Sequence, residues 1–191
     1  MERPIDFRGE VLILTGPPGS GKTTAAARLS HAPGSPKVHL PGDEFWRWIG
    51  NGSIPPYLAE SHRQNEVVMG VLAKAAEGYA LGGYFVILDG IVGPWFLSPF
   101  TSLRVPVHYV VLRPALEEAV QRCRDRGGGE LSDPAPISDL YRQFACLGEL
   151  EAHGIRTEGM GPDEVLLRVK EALANGAFRL GSRHGAFDAS G

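Results

Sequence analysis

Gly16-Pro17-Pro18-Gly19-Ser20-Gly21-Lys22-Thr23 decides how this chain is read, because it matches G-x-x-x-x-G-K-[ST] in full. Just before it, Val11-Leu12-Ile13-Leu14 is a short apolar run, and just after it Thr24-Ala25-Ala26-Ala27-Arg28-Leu29 is rich in helix formers. Strand, loop and helix thus follow in the order a phosphate-binding loop requires. The glycines let successive backbone N–H groups turn inward around a β-phosphate, and the helix N-terminus adds partial positive charge. Lys22 is then placed to reach the β- and γ-phosphates, and the Thr23 hydroxyl to ligate Mg²⁺. Gly16, Pro17, Pro18, Gly19, Ser20, Gly21, Lys22, Thr23 and Thr24 are therefore the expected nucleotide-binding segment. A Gly-rich turn that happened to contain Lys and Thr would not need a strand and a helix on its two sides.

At 191 residues the chain fits one α/β domain with a sizeable core. A formal net charge of -3 supplies no global field for a polyanion, so nucleic acid is not an expected partner. No apolar stretch approaches the length of a membrane span, and Met1-Glu2-Arg3-Pro4-Ile5-Asp6 lacks the apolar region of a signal peptide. The expectation is a cytoplasmic protein with no membrane contact, whose oligomeric state the pattern does not set. Cys123 and Cys146 form no C-x-x-C or metal cluster; both fall at apolar helical positions and read as core residues.

Apolar runs alternate with 3.6-period segments along the chain, which predicts five parallel strands near residues 10–15, 37–40, 84–89, 105–112 and 154–158. The clearest helix is 60–80, with Val67, Val68, Val71, Leu72, Ala75 and Tyr79 expected on its inner face before Gly82-Gly83. Leu116, Ala119, Val120 and Cys123 mark a second helix, and Leu140, Phe144 and Leu147 a third. Pro162 opens the last, with Val165, Leu166, Val169 and Leu173 inward. Two segments break the regularity. Residues 41–58 mix Trp46, Trp48 and Tyr57 with glycines and prolines, and 127–137 run from Gly127-Gly128-Gly129 to Ser132-Asp133-Pro134-Ala135-Pro136. Such insertions are where substrates enter and lids move, so 127–137 is read as a small lid within a single domain 1–180, followed by a flexible tail 181–191.

Three further positions carry chemistry. Asp43 follows the second strand, where the open end of a parallel sheet faces the phosphate loop; the alternative is a helix N-cap. Asp89 ends Tyr84-Phe85-Val86-Ile87-Leu88-Asp89, the pattern of a carboxylate that holds Mg²⁺ through a water; the alternative is a strand-end turn residue. Arg122 and Arg126 lie one helical turn apart and lead into the glycine-rich segment, with a solvated face as the alternative. The residue after Asp89 is Gly90, whereas motor ATPases and AAA+ proteins usually place a water-activating Glu there, and no guanine-specificity element is present. What remains is a kinase of a small molecule, in which the protein sets acceptor and γ-phosphate in line and neutralises charge.

The loop, together with Pro41-Gly42-Asp43-Glu44-Phe45-Trp46, Leu88-Asp89-Gly90-Ile91-Val92-Gly93-Pro94-Trp95-Phe96 and Leu131-Ser132-Asp133-Pro134, resembles the small P-loop kinases related to shikimate, gluconate and chloramphenicol phosphotransferases and the zeta toxins. The likeness runs to about Leu180. It implies a three-layer α/β fold with a five-stranded parallel sheet in the order 2-3-1-4-5, and MgATP as phosphate donor. It also implies that Asp43 contacts the acceptor hydroxyl, that Arg122 lies against the adenine and Arg126 against the phosphates, and that residues 157–161 lie near the adenine. Nucleoside monophosphate kinases share the Gly-Asp and Asp-Gly segments but follow the latter with Pro-Arg, where this chain has Ile91-Val92-Gly93-Pro94-Trp95. Arg47 and Arg63 keep a cytidylate-kinase-like reading open, and a nucleotide-binding regulator is the alternative outside enzymes. Trp46, Trp48, Tyr57, Trp95 and Phe96 belong either to an acceptor pocket for an apolar or ring-shaped hydroxyl compound or to the core.

Overall fold

The computed structural model describes residues 5–125 and 134–181, with side chains in the second span from Ile137 onward. Five strands, β1 (Val11–Thr15), β2 (Lys37–Pro41), β3 (Phe85–Asp89), β4 (Val107–Arg113) and β5 (Gly154–Arg156), pair in parallel in the order β2-β3-β1-β4-β5. The helices are α1 (Lys22–Ser30), α2 (Glu44–Arg47), α3 (His62–Leu81), α4 (Ser98–Thr101), α5 (Leu116–Asp125), α6 (Pro134–Ala145) and α7 (Pro162–Ala174).

Every residue of β1 and β3 is buried, because helices cover both faces of the sheet. Alternation along the strands sorts the side chains into two cores. Val11, Ile13, Val86, Leu88 and Tyr109 pack under α3, while Leu12, Leu14, Phe85, Ile87 and Val110 pack under α1 and α7. The result is the expected three-layer α/β arrangement. In register, Leu14 and Pro41 both lie opposite Asp89, so the ends of β1, β2 and β3 are level at one edge. The Gly42 N–H donates to the Asp89 carbonyl at 2.7 Å and ties the segment after β2 to that edge.

Two expectations need correction. The inner face of α3 is turned by about one residue from the expected one: Val67, Val71 and Tyr79 are exposed, and Val68, Met69, Leu72, Ala73, Ala76 and Ala80 are buried. Small alanines let the helix lie close to the sheet, which outweighs the larger β-branched side chains in choosing the face. Cys146 is exposed just past the end of α6, and Cys123 is only half-buried, so neither is a core residue. Of the segment 127–137 expected as a lid, residues from Pro134 already belong to α6, where proline suits a first turn; 127–133 and the tail from 182 lie outside the described residues.

Two polar residues on the buried face of α3 anchor neighbouring loops. Asn65 accepts from Trp46 Nε1 at 2.8 Å and donates to the Pro56 carbonyl at 2.8 Å, which fastens the 41–58 segment to the helix. Glu77 accepts from the Arg104 backbone N–H at 2.9 Å, and this bond holds its carboxyl below the usual carboxylate range.

Candidate active site

The loop between β1 and α1 winds over the C-terminal end of the sheet and is buried from Gly16 through Ser20. Its turn closes on a Ser20 N–H to Pro17 carbonyl bond of 3.2 Å. Gly21, at φ 84°, stands where a capping residue would, and no side chain caps the first turn of α1. Those N–H groups are the ones a bound anion would take. Ser20 Oγ is buried without a hydrogen-bond partner among the described residues, a second polar group that suits an anion in the cradle. Lys22 is buried, with Nζ 3.5 Å from the Pro17 carbonyl.

Gly19 and Gly21 need glycine for different reasons, and this separates two costs. Both have positive φ, 79° and 84°, but a Cβ on Gly19 would collide with the Ala119 backbone, whereas one on Gly21 meets nothing within 4 Å. Gly21→Ala is expected to carry backbone strain alone, about 1–3 kcal/mol, lowering Tm by about 2–12 °C. Gly19→Ala adds the collision with α5 and should melt lower still. Equal melting temperatures for the two variants would show that α5 yields freely.

Asp89, 4% exposed, lies at the centre of the site. Its Oδ2 accepts from the Thr23 hydroxyl at 2.6 Å, and its Oδ1 lies 2.6 Å from His39 Nε2. The Thr23–Asp89 pair suits a hard dication, which takes oxygen ligands. Among the described residues no group of three or more His, Cys, Asp or Glu forms a metal cage. That donor set fits Mg²⁺, which keeps waters and phosphate oxygens as its other ligands.

Asp43 precedes α2 at the N-cap position, yet its side chain makes no capping hydrogen bond. It is open to solvent, and the protein around it still raises its carboxyl above the ordinary range through desolvation. The Lys22 charge opposes that rise and the Asp89 charge adds to it, so Asp43 shares the field of the phosphate loop. Thr24 faces solvent on the first turn of α1.

On the opposite wall, Arg122 of α5 donates from Nη1 to the Gly19 carbonyl at 3.4 Å and from Nη2 to Glu118 Oε2 at 3.2 Å. Glu118 Oε1 in turn accepts from the Gly159 N–H at 2.8 Å. This carboxylate links the phosphate loop, by way of Arg122, to the turn after β5, where Thr157 Oγ1 is buried without a partner among the described residues. Arg126 lies outside the described residues.

The structure therefore brings together the loop, Asp43, Asp89 and Arg122. His39 and Glu118 were absent from the sequence reading. Alternation on β2 is the one signal for His39, since it puts His39 and Pro41 on a common face and Pro41 is paired with Asp89. The aromatic residues divide. Trp46 is partly buried against the core, Trp48 and Tyr57 are exposed, and Trp95 packs against Phe144 with ring centres 5.4 Å apart. A cavity of about 550 Å³ lies between α2 and α3, lined by Phe45, Trp48, Ile54 and Val71 among others, and includes none of the loop, Asp43 or Asp89.

A parallel sheet in the order 2-3-1-4-5, with a phosphate loop joining β1 to α1, defines the P-loop kinase fold. Residues 12–134 match a family model described as an AAA domain, and the chain belongs to that family. It is 28% identical over 197 residues to the adenylate kinase of Leifsonia xyli, covering 85% of this chain and 92% of that one. The tunicamycin resistance protein of Deinococcus radiodurans shares the fold with a TM-score of 0.65 at 18% identity, over 86% of this chain and 95% of that one. A gluconokinase from Sinorhizobium meliloti does so with 0.65 at 15% identity, over 88% and 94%. A chain of the Pnkp1/Rnl/Hen1 RNA repair complex matches with 0.56 at 22% identity, and this protein spans 44% of it. The fold expected from the resemblance to small P-loop kinases is borne out. No helix among the described residues is long and apolar enough to cross a membrane.

Proposed function

We propose that this protein is a small-molecule kinase that transfers the γ-phosphate of ATP to a hydroxyl group. The observation that carries the reading is Asp43, a carboxylate with no capping bond, raised above its ordinary range and coupled electrostatically to Lys22 beside the phosphate loop. Lys22 and the loop amides hold the phosphates, Arg122 holds the nucleotide from the α5 side, and Arg126 assists on the phosphates. Thr23 and Asp89 would hold Mg²⁺, which when bound neutralises phosphate charge. Asp43 accepts the acceptor hydroxyl proton as the new O–P bond forms and the bond from the γ-phosphorus to the bridging oxygen breaks, with ADP leaving.

A nucleoside monophosphate acceptor is the second reading, favoured by the similarity to adenylate kinase. Against it, the segment after Asp89 has no arginine, and Arg47 and Arg63 are exposed and engaged with Glu44 and Glu66. Coupled ADP release measured with nucleoside monophosphates, sugar acids and phenicol or aminoglycoside antibiotics tests both. Turnover with a phosphate-free hydroxyl compound supports the first reading, and turnover confined to monophosphates selects the second. ATP hydrolysis unaffected by any acceptor points to a regulator.

A further inference from the structure

β2 carries a histidine beside Asp89. Pro41 pairs with Asp89 and His39 with Ile87, so the alternation of parallel strands sets His39 and Asp89 on the sheet face that α1 covers. Among the described residues Asp89 is the one hydrogen-bond partner of His39, at 2.6 Å through Nε2. An ionised carboxylate only accepts, so Nε2 carries the hydrogen and donates to Oδ1. The Thr23 hydroxyl takes Oδ2. The terminal torsion of an aspartate is broad, so a carboxylate held through one oxygen swings, and one held through both does not.

We infer that His39 is a positioning residue that fixes Asp89 with Oδ2 towards Thr23, and thereby sets how tightly the site takes a divalent cation. The inference rests on the proposed reading of Thr23 and Asp89 as the Mg²⁺ end of the site. Partners that hydrogen-bond a metal-supporting group in this way typically change metal affinity about 10–100-fold.

The experiment measures fluorescent ADP binding to the full chain in EDTA and across an Mg²⁺ series, for wild type, His39→Leu and His39→Gln, with melting curves alongside. Leucine fills a similar volume without a donor, and the glutamine amide restores one. In wild type, Mg²⁺ should tighten binding. His39→Leu should keep its EDTA affinity within about twofold but need about tenfold more Mg²⁺ for half the effect, and His39→Gln should recover most of that shift. A wild type indifferent to Mg²⁺ removes the Thr23–Asp89 reading, and the role of His39 with it. A responsive wild type with His39→Leu unchanged overturns the role of His39 alone. A His39→Leu protein that does not fold, or that loses affinity equally in EDTA, assigns the contact to folding and also overturns it.

Discussion

Lys22→Ala should lower turnover about 10²-fold or more, which is about 2.7 kcal/mol of transition-state stabilisation. In the transfer, charge sits on the peripheral oxygens of the γ-phosphoryl group, where a buried ammonium is worth far more than one in water. Lys22 is buried at the start of α1, close to the loop that it completes. Its loss has a second consequence that a structural role would not produce. The Lys22 charge pulls the Asp43 carboxyl downward, so Lys22→Ala should let it rise further. The residual activity should then fall off at a higher pH on the acid side than that of wild type. Turnover within a few-fold of wild type would sink the phosphate-loop assignment.

Most of the frame was legible because it rests on local pattern. β1, β3 and β4 are apolar runs buried on both faces, and their signal does not depend on which strand lies next to which. The phosphate loop is contiguous, and Asp89 ends its run visibly. The residues that escaped are those whose role needs a neighbour distant in sequence. His39 meets Asp89 only once β2 is set beside β3, and Glu118 meets the Gly159 N–H across 41 positions. On α3 the alanines that pack against the sheet have too little apolar weight to outvote Val67, Val71 and Tyr79, so the expected face was turned. Cys146 looked like a continuation of the α6 stripe, but the helix ends at Ala145.

Asp43→Asn should cut acceptor-dependent turnover on the order of 10²- to 10⁴-fold, about 2.7–5.4 kcal/mol, while ATP affinity stays within a few-fold. Asparagine keeps the size and some hydrogen bonding but does not take up a proton at this pH. The pH dependence supplies an independent check. Because the Asp43 carboxyl is raised, it holds its proton at pH values where an ordinary aspartate has lost it, and activity that needs the ionised form should disappear as pH falls through that raised value. The wild-type acid limb should therefore lie above the usual aspartate range, and the residual activity of Asp43→Asn should lack it. The stability consequence has its own sign. A carboxyl raised by folding favours the native state least once it is ionised, so Asp43→Asn should be no less stable than wild type at neutral pH. A capping role predicts no loss of turnover, because Asn caps about as well as Asp, and the structure shows no capping bond to lose. Turnover, ATP affinity, acid limb and melting temperature of this one variant decide the matter: near-normal turnover with an unchanged acid limb would discard Asp43 as the base.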